Sequence, residues 1–125
     1  MKNRKFATAI NCMDGRVQEP VIKYMKKKYS VKYVDTITGP GILKYFTKKN
    51  TQALKRIKNS VMISTKKHGS KIVVITGHPG CAGNPVTKKQ QEKQLEKAVE
   101  KVNSWKTGVS IIKGLWAGNK IEEII

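Results

Sequence analysis

Acidic side chains are scarce in this sequence: 8 Asp and Glu stand against 26 Lys and Arg, a formal charge of +18. Cysteine is scarcer still, and two thiols in 125 residues do not build a disulfide framework. Reduced thiols and a cytoplasmic location are the expectation. No stretch approaches the roughly 18 uninterrupted apolar residues of a membrane helix, and the basic opening MKNRKFATAI holds no apolar run long enough for a secretory signal. Arginine is limited to Arg4, Arg16 and Arg56, and aromatics to 6%. Base stacking with bidentate readout therefore lacks its parts, and nucleic acid is a weak reading of the charge. The lysine runs, such as Lys26–Lys28, read as solvated helix faces. With 38% hydrophobic residues the chain can fill a core, which excludes disorder, and its length predicts one domain over 1–125.

What is present alternates between two kinds of segment. Residues 6–11, 31–37, 71–76 and 109–112 are short and β-branched, with little charge, and predict strands; residues 72–75 are continuous enough for burial on both faces. Between them lie helical patterns. Pro20 suits a first helical turn that carries Val21, Ile22, Met25 and Tyr29 inward. Asn50 or Thr51 can cap a second helix bearing Leu54, Ile57 and Val61 and ending near Gly69. A third helix, about 88–105, spaces Leu95, Ala98, Val99, Val102 and Trp105 on one face. Residues 115–117 and 121–125 read as hairpin arms joined by Gly118-Asn119. The prediction is a three-layer α/β fold: a mostly parallel sheet of about four strands, an antiparallel C-terminal edge strand, and helices on both faces.

Ligands of such sheets gather at the carboxyl ends of the strands. Both cysteines fall there: Cys12 after the first strand, in NCMDGR, and Cys81 after the third, in GHPGCAGNP. If those strands are neighbours, one crevice receives Cys12, His78 and Cys81. Two thiolates and an imidazole form a soft set that suits zinc, and three protein ligands leave a fourth position for water. The alternatives are two buried thiols with a hydrogen-bonded histidine, or a purely structural zinc. Asp14, two residues past the first cysteine, can accept a hydrogen bond from such a water, and Arg16 can pair with Asp14 and hold its carboxylate ionised. His68 precedes the third strand and belongs at the opposite end of the sheet.

The paired motifs Cys12-x-Asp14-x-Arg16 and His78-x-x-Cys81 resemble the zinc signature of the β-class carbonic anhydrases, and the likeness extends over roughly residues 5 to 120. It implies an α/β sheet, usually dimeric, with zinc on Cys12, His78 and Cys81, Asp14 and Arg16 in catalytic roles, and reversible hydration of CO₂ to bicarbonate. It also implies a second state, in which Asp14 leaves Arg16 and coordinates the metal. The chain departs from the family in being short, in having Thr38-Gly39-Pro40-Gly41 where members often carry an Asn-Ala-Gly-Asn-like turn, and in offering no evident counterpart of the pocket glutamine. Two other readings stand beside it: a zinc hydrolase of a CO₂-like molecule such as carbonyl sulfide or carbon disulfide, and a non-catalytic zinc-stabilised protein that binds RNA or another polyanion.

Overall fold

The computed structural model describes residues 5–49 and 51–125. Five strands form one sheet in the order β2-β1-β3-β4-β5, from β1 (Phe6–Cys12), β2 (Tyr33–Gly39), β3 (Ile72–Gly77), β4 (Ile111–Ala117) and β5 (Ile121–Glu123). The first four run parallel and β5 returns antiparallel along β4, as the alternating pattern implied. Every residue of β3 is buried, which is why its sequence runs apolar without alternation. Successive side chains of β1 face opposite layers. Ala7 and Ala9 pack under α1 (Gly15–Tyr29) with Val17, Val21 and Met25. Ile10 packs on the other side with Leu54 and Ile57 of α2 (Gln52–Met62) and Leu95 and Val102 of α3 (Lys88–Ser104).

Several details differ from the sequence expectation. The second helix, expected to end near Gly69, ends at Met62 and passes into a π-helical turn over Ile63–Lys67. Pro20 is not in a first turn, because Asp14 caps α1 at Gly15 and leaves the proline inside the helix. Ile22, expected inward, is half-buried, and Val17 takes its place on the buried face. The expected strand 109–112 and the hairpin arm 115–117 are one strand, β4, continuous through Lys113 and Gly114. A 3₁₀ helix over Ile42–Thr47 follows β2, where no element was expected. Thr51 caps α2; Asn50 and residues 1–4 lie outside the described range. Among the described residues, no helix is long and apolar enough to cross a membrane.

Candidate metal centre

The register between β1 and β3 builds the site. Asn11 lies opposite Thr76, so Cys12 and the Gly77-His78 step leave the sheet side by side at its carboxyl edge. The loop after β3 then brings Cys81 back. The Cys12 and Cys81 sulfurs are 3.7 Å apart. One donor atom from each of Cys12, His78 and Cys81 falls within 4.8 Å of the others, and all three residues are buried. Two sulfurs held at about 2.3 Å from one tetrahedral ion would be separated by about 3.8 Å, close to the distance found.

The histidine offers a second test of fit. Its Nδ1 lies 2.9 Å from the Pro79 carbonyl, which can only accept, so Nδ1 carries the proton. Nε2 is then a bare lone pair, buried and with no hydrogen-bond partner. An orphaned acceptor next to two sulfurs is what a soft divalent cation requires. A small cavity of about 10 Å³ lies beside these groups, lined also by Gly41, Asn84 and Gln91, room for about one ion or one water. Surface troughs of about 380 and 440 Å³ lie away from it, and one of about 370 Å³ borders it at Pro79. Burial pushes the Cys81 thiol up, and the neighbouring Cys12 sulfur adds to the shift; a bound cation would offset that penalty by favouring the thiolate.

Asp14 follows Cys12 by two residues and does not itself line that cavity. Its Oδ1 accepts the Arg16 backbone N–H at 2.9 Å and the Arg16 Nε at 3.0 Å, and its Oδ2 accepts Nη2 at 2.6 Å. These bonds hold the Asp14 carboxyl well below the usual carboxylate range, the Arg16 side chain contributing most, and raise the guanidinium in turn. Arg16 also donates to the Gly80 carbonyl at 3.3 Å, joining the two motifs. Its side chain is 72% exposed, so the pair adds little to stability and chiefly fixes a direction. His68 sits at the opposite end of the sheet, stacked on Phe6 at 4.3 Å and bonded to Asp35 at 2.7 Å.

Some residues around the site were not evident from sequence. Gln18 Nε2 donates to the carbonyls of both Cys12 and Asp14 and holds that turn shut. Lys44 ties the 3₁₀ helix to the Gly83 carbonyl at 2.8 Å. Gln91 bonds the main chain of His78. The signal for Gln91 was its place one helical turn before Leu95, on the stripe that continues to Ala98 and Val102.

Comparison with known proteins agrees with this picture. A family model described as "Putative carbonic anhydrase" matches residues 2–124. No curated protein matches the chain. Among solved structures, the carbonic anhydrase of Streptococcus mutans superimposes with a TM-score of 0.67 at 16% identity, covering 98% of this chain and 84% of that one. The β-carbonic anhydrase isoform I of Trichomonas vaginalis gives 0.60 at 18%, covering 100% and 87%. A crystal structure from work on two tetrameric β-carbonic anhydrases of Sordaria macrospora gives 0.62 at 12%, covering 98% and 81%.

Proposed function

The chain belongs to the putative carbonic anhydrase family, and from that membership we propose that it is a zinc enzyme catalysing CO₂ + H₂O ⇌ HCO₃⁻ + H⁺. Cys12, Cys81 and the Nε2 of His78 hold the ion. Zinc bound there would supply Lewis acidity, lowering the pKa of a water at the site. Asp14 accepts a hydrogen bond from that water and aims it. Each carboxylate oxygen has two acceptor sites, so the Arg16 contacts leave Asp14 capacity for one more donor. Because Arg16 holds its pKa so low, Asp14 orients the water without keeping its proton. That proton leaves to solvent or buffer. The observation that carries the reading is the convergence of two sulfurs and an unpartnered imidazole nitrogen beside an Asp–Arg pair.

We also propose a cytoplasmic homodimer. Thiols that must stay reduced suit the cytoplasm. β2 is an edge strand, and beside it runs a trough of about 330 Å³ lined by Ile37, Pro40, Tyr45 and Ile57. An unpaired edge next to an apolar trough favours pairing with a second copy. Light scattering giving a monomer at micromolar concentration would remove this part.

The test is stopped-flow CO₂ hydration on protein of measured zinc content, with Cys12→Ser and Asp14→Ala. Wild type is expected to turn over with one zinc per chain, Cys12→Ser to lose metal, and Asp14→Ala to keep metal but lose about 100-fold or more in rate. Full zinc occupancy with no hydration at any pH would defeat the reading, and hydrolysis of carbonyl sulfide by the same sample would favour the hydrolase instead. If the chain were a polyanion binder, binding to single-stranded RNA would weaken by orders of magnitude between low and moderate salt.

A further inference from the structure

His78 is gripped by its own peptide groups from one side chain. Gln91 Oε1 accepts the His78 N–H at 3.2 Å, and Gln91 Nε2 donates to the His78 carbonyl at 2.8 Å. Gln91 is only 2% exposed. A single amide thus bonds both main-chain groups of the residue that carries the imidazole, while Nδ1 is fixed to Pro79. Among the described residues, neither Cys12 nor Cys81 has a two-point clip of this kind.

The clip itself stands on a rigid base. A reciprocal capping box between Thr87 and Gln90 sets the first turn of α3, and the buried Leu95, Ala98 and Val102 anchor the helix below it. Gly77 leaves the space that Gln91 enters: a Cβ there would lie 2.8 Å from Gln91 Oε1. A buried glutamine aligned with a core stripe, touching the backbone of one candidate ligand and given room by a glycine, is more than a polar residue finding a partner.

We propose that Gln91 is a positioning residue: through the His78 peptide it sets the direction of the imidazole and so tunes the affinity and geometry of the metal site. This rests on the reading of His78 as a ligand. Outer groups that orient a ligating histidine typically change metal affinity by about 10- to 100-fold when lost.

The experiment uses the full chain as Gln91→Leu, Gln91→Glu, Gly77→Ala and His78→Ala. Three quantities are measured: zinc affinity by chelator competition, the absorption spectrum of the Co²⁺-substituted protein, and unfolding of the metal-free protein. Gln91→Leu is expected to weaken zinc binding by about 10- to 100-fold and to shift the ligand-field bands, while thiolate-to-cobalt charge transfer persists because both cysteines still bind. Gln91→Glu keeps an acceptor for the His78 N–H and should fall between Leu and wild type. Gly77→Ala, which crowds the amide without altering it, should move affinity and spectrum in the same direction as Gln91→Leu. If Gln91→Leu lowers only the unfolding midpoint, with affinity and spectrum as in wild type, the proposal is overturned and Gln91 merely satisfies a buried peptide. If Gln91→Leu does not fold, Gln91→Glu and Gly77→Ala decide by the same two readouts. Wild-type zinc affinity in His78→Ala would remove the ligand reading itself, an outcome separable from failure of Gln91 alone.

Discussion

Asp14 does two things with one carboxylate. As the N-cap of α1 it accepts a backbone N–H from the first turn, and as the partner of Arg16 it carries a charge two residues past Cys12. Asparagine caps a helix about as well as aspartate but has no charge. Asp14→Asn should therefore leave the unfolding midpoint close to wild type while CO₂ hydration falls about 100-fold or more, whereas Asp14→Ala should lower both. Equal activity in Asp14→Asn and wild type would show that the charge is not used. Tyr29 gives a second test at this scale, away from the candidate metal centre. Among the described residues its buried hydroxyl has no partner, and burial pushes its pKa above the ordinary 10.0. In the unfolded chain the phenol ionises near pH 10, while in the folded chain it stays protonated to higher pH. Stability from this group is thus intact below pH 10 and declines as pH rises beyond it. Tyr29→Phe is expected to match or exceed wild type in denaturant melts at pH 7, and its advantage should widen above pH 10. That Cys12, His78 and Cys81 come together was legible in the sequence, because Cys and His are so few that each position could be weighed against a strand end. Gln91 carried only a faint signal, its place one turn before Leu95, because a glutamine inside Lys-Lys-Gln-Gln-Glu reads as a solvated face.

At the scale of elements, the strands and three main helices follow from composition, and the departures have local causes. The Asp14 cap outweighs the tendency of proline to sit in a first turn, so α1 starts five residues earlier and encloses Pro20. A proline there removes one hydrogen bond to the carbonyl four residues back, that of Arg16, and crowds it. Pro20 is exposed, so nothing in the core compensates. Pro20→Ala should raise stability by about 1 to 3 kcal/mol, reduced somewhat by the greater freedom of its unfolded chain, and urea denaturation would measure it. A loss of stability would mean the helix entry depends on the proline ring. The sequence divides β4 in two, because Lys113 and Gly114 interrupt its apolar run. In the fold a Cβ at Gly114 would lie 2.8 Å from Ile125 Cγ1, so a side chain there would have to displace that exposed isoleucine, and the Gly114 carbonyl accepts from Ile124 and Ile125. The 3₁₀ helix was hidden for a similar reason. It begins after Gly41, held at φ +57 against the backbone of Gly83, and that close approach of two loops distant in sequence leaves no periodic trace.

For the whole molecule, the dominant quantity is charge. Of 26 basic residues, few are neutralised: among the described residues the pairs are Arg16–Asp14, Lys88–Glu122 and Lys113–Glu123, with His68–Asp35 besides. The remaining lysines share one small surface and repel, which disfavours the compact state more than the expanded one. Screening should relieve this. The Debye length falls from about 30 Å at about 0.01 M salt to a few ångströms near 1 M, below the spacing of most surface lysines. Raising sodium chloride from about 10 mM to about 0.5 M is therefore expected to lift the thermal unfolding midpoint by about 5 °C, read by calorimetry at one fixed zinc concentration. Sodium chloride is the salt to use, because sulfate would add its own exclusion effect to screening. CO₂ is uncharged, so kcat/KM for hydration should change far less over the same range. A midpoint that falls with salt would mean the lysines are held by attractions not present in these contacts, and the reading of the basic faces as solvated would fail with it.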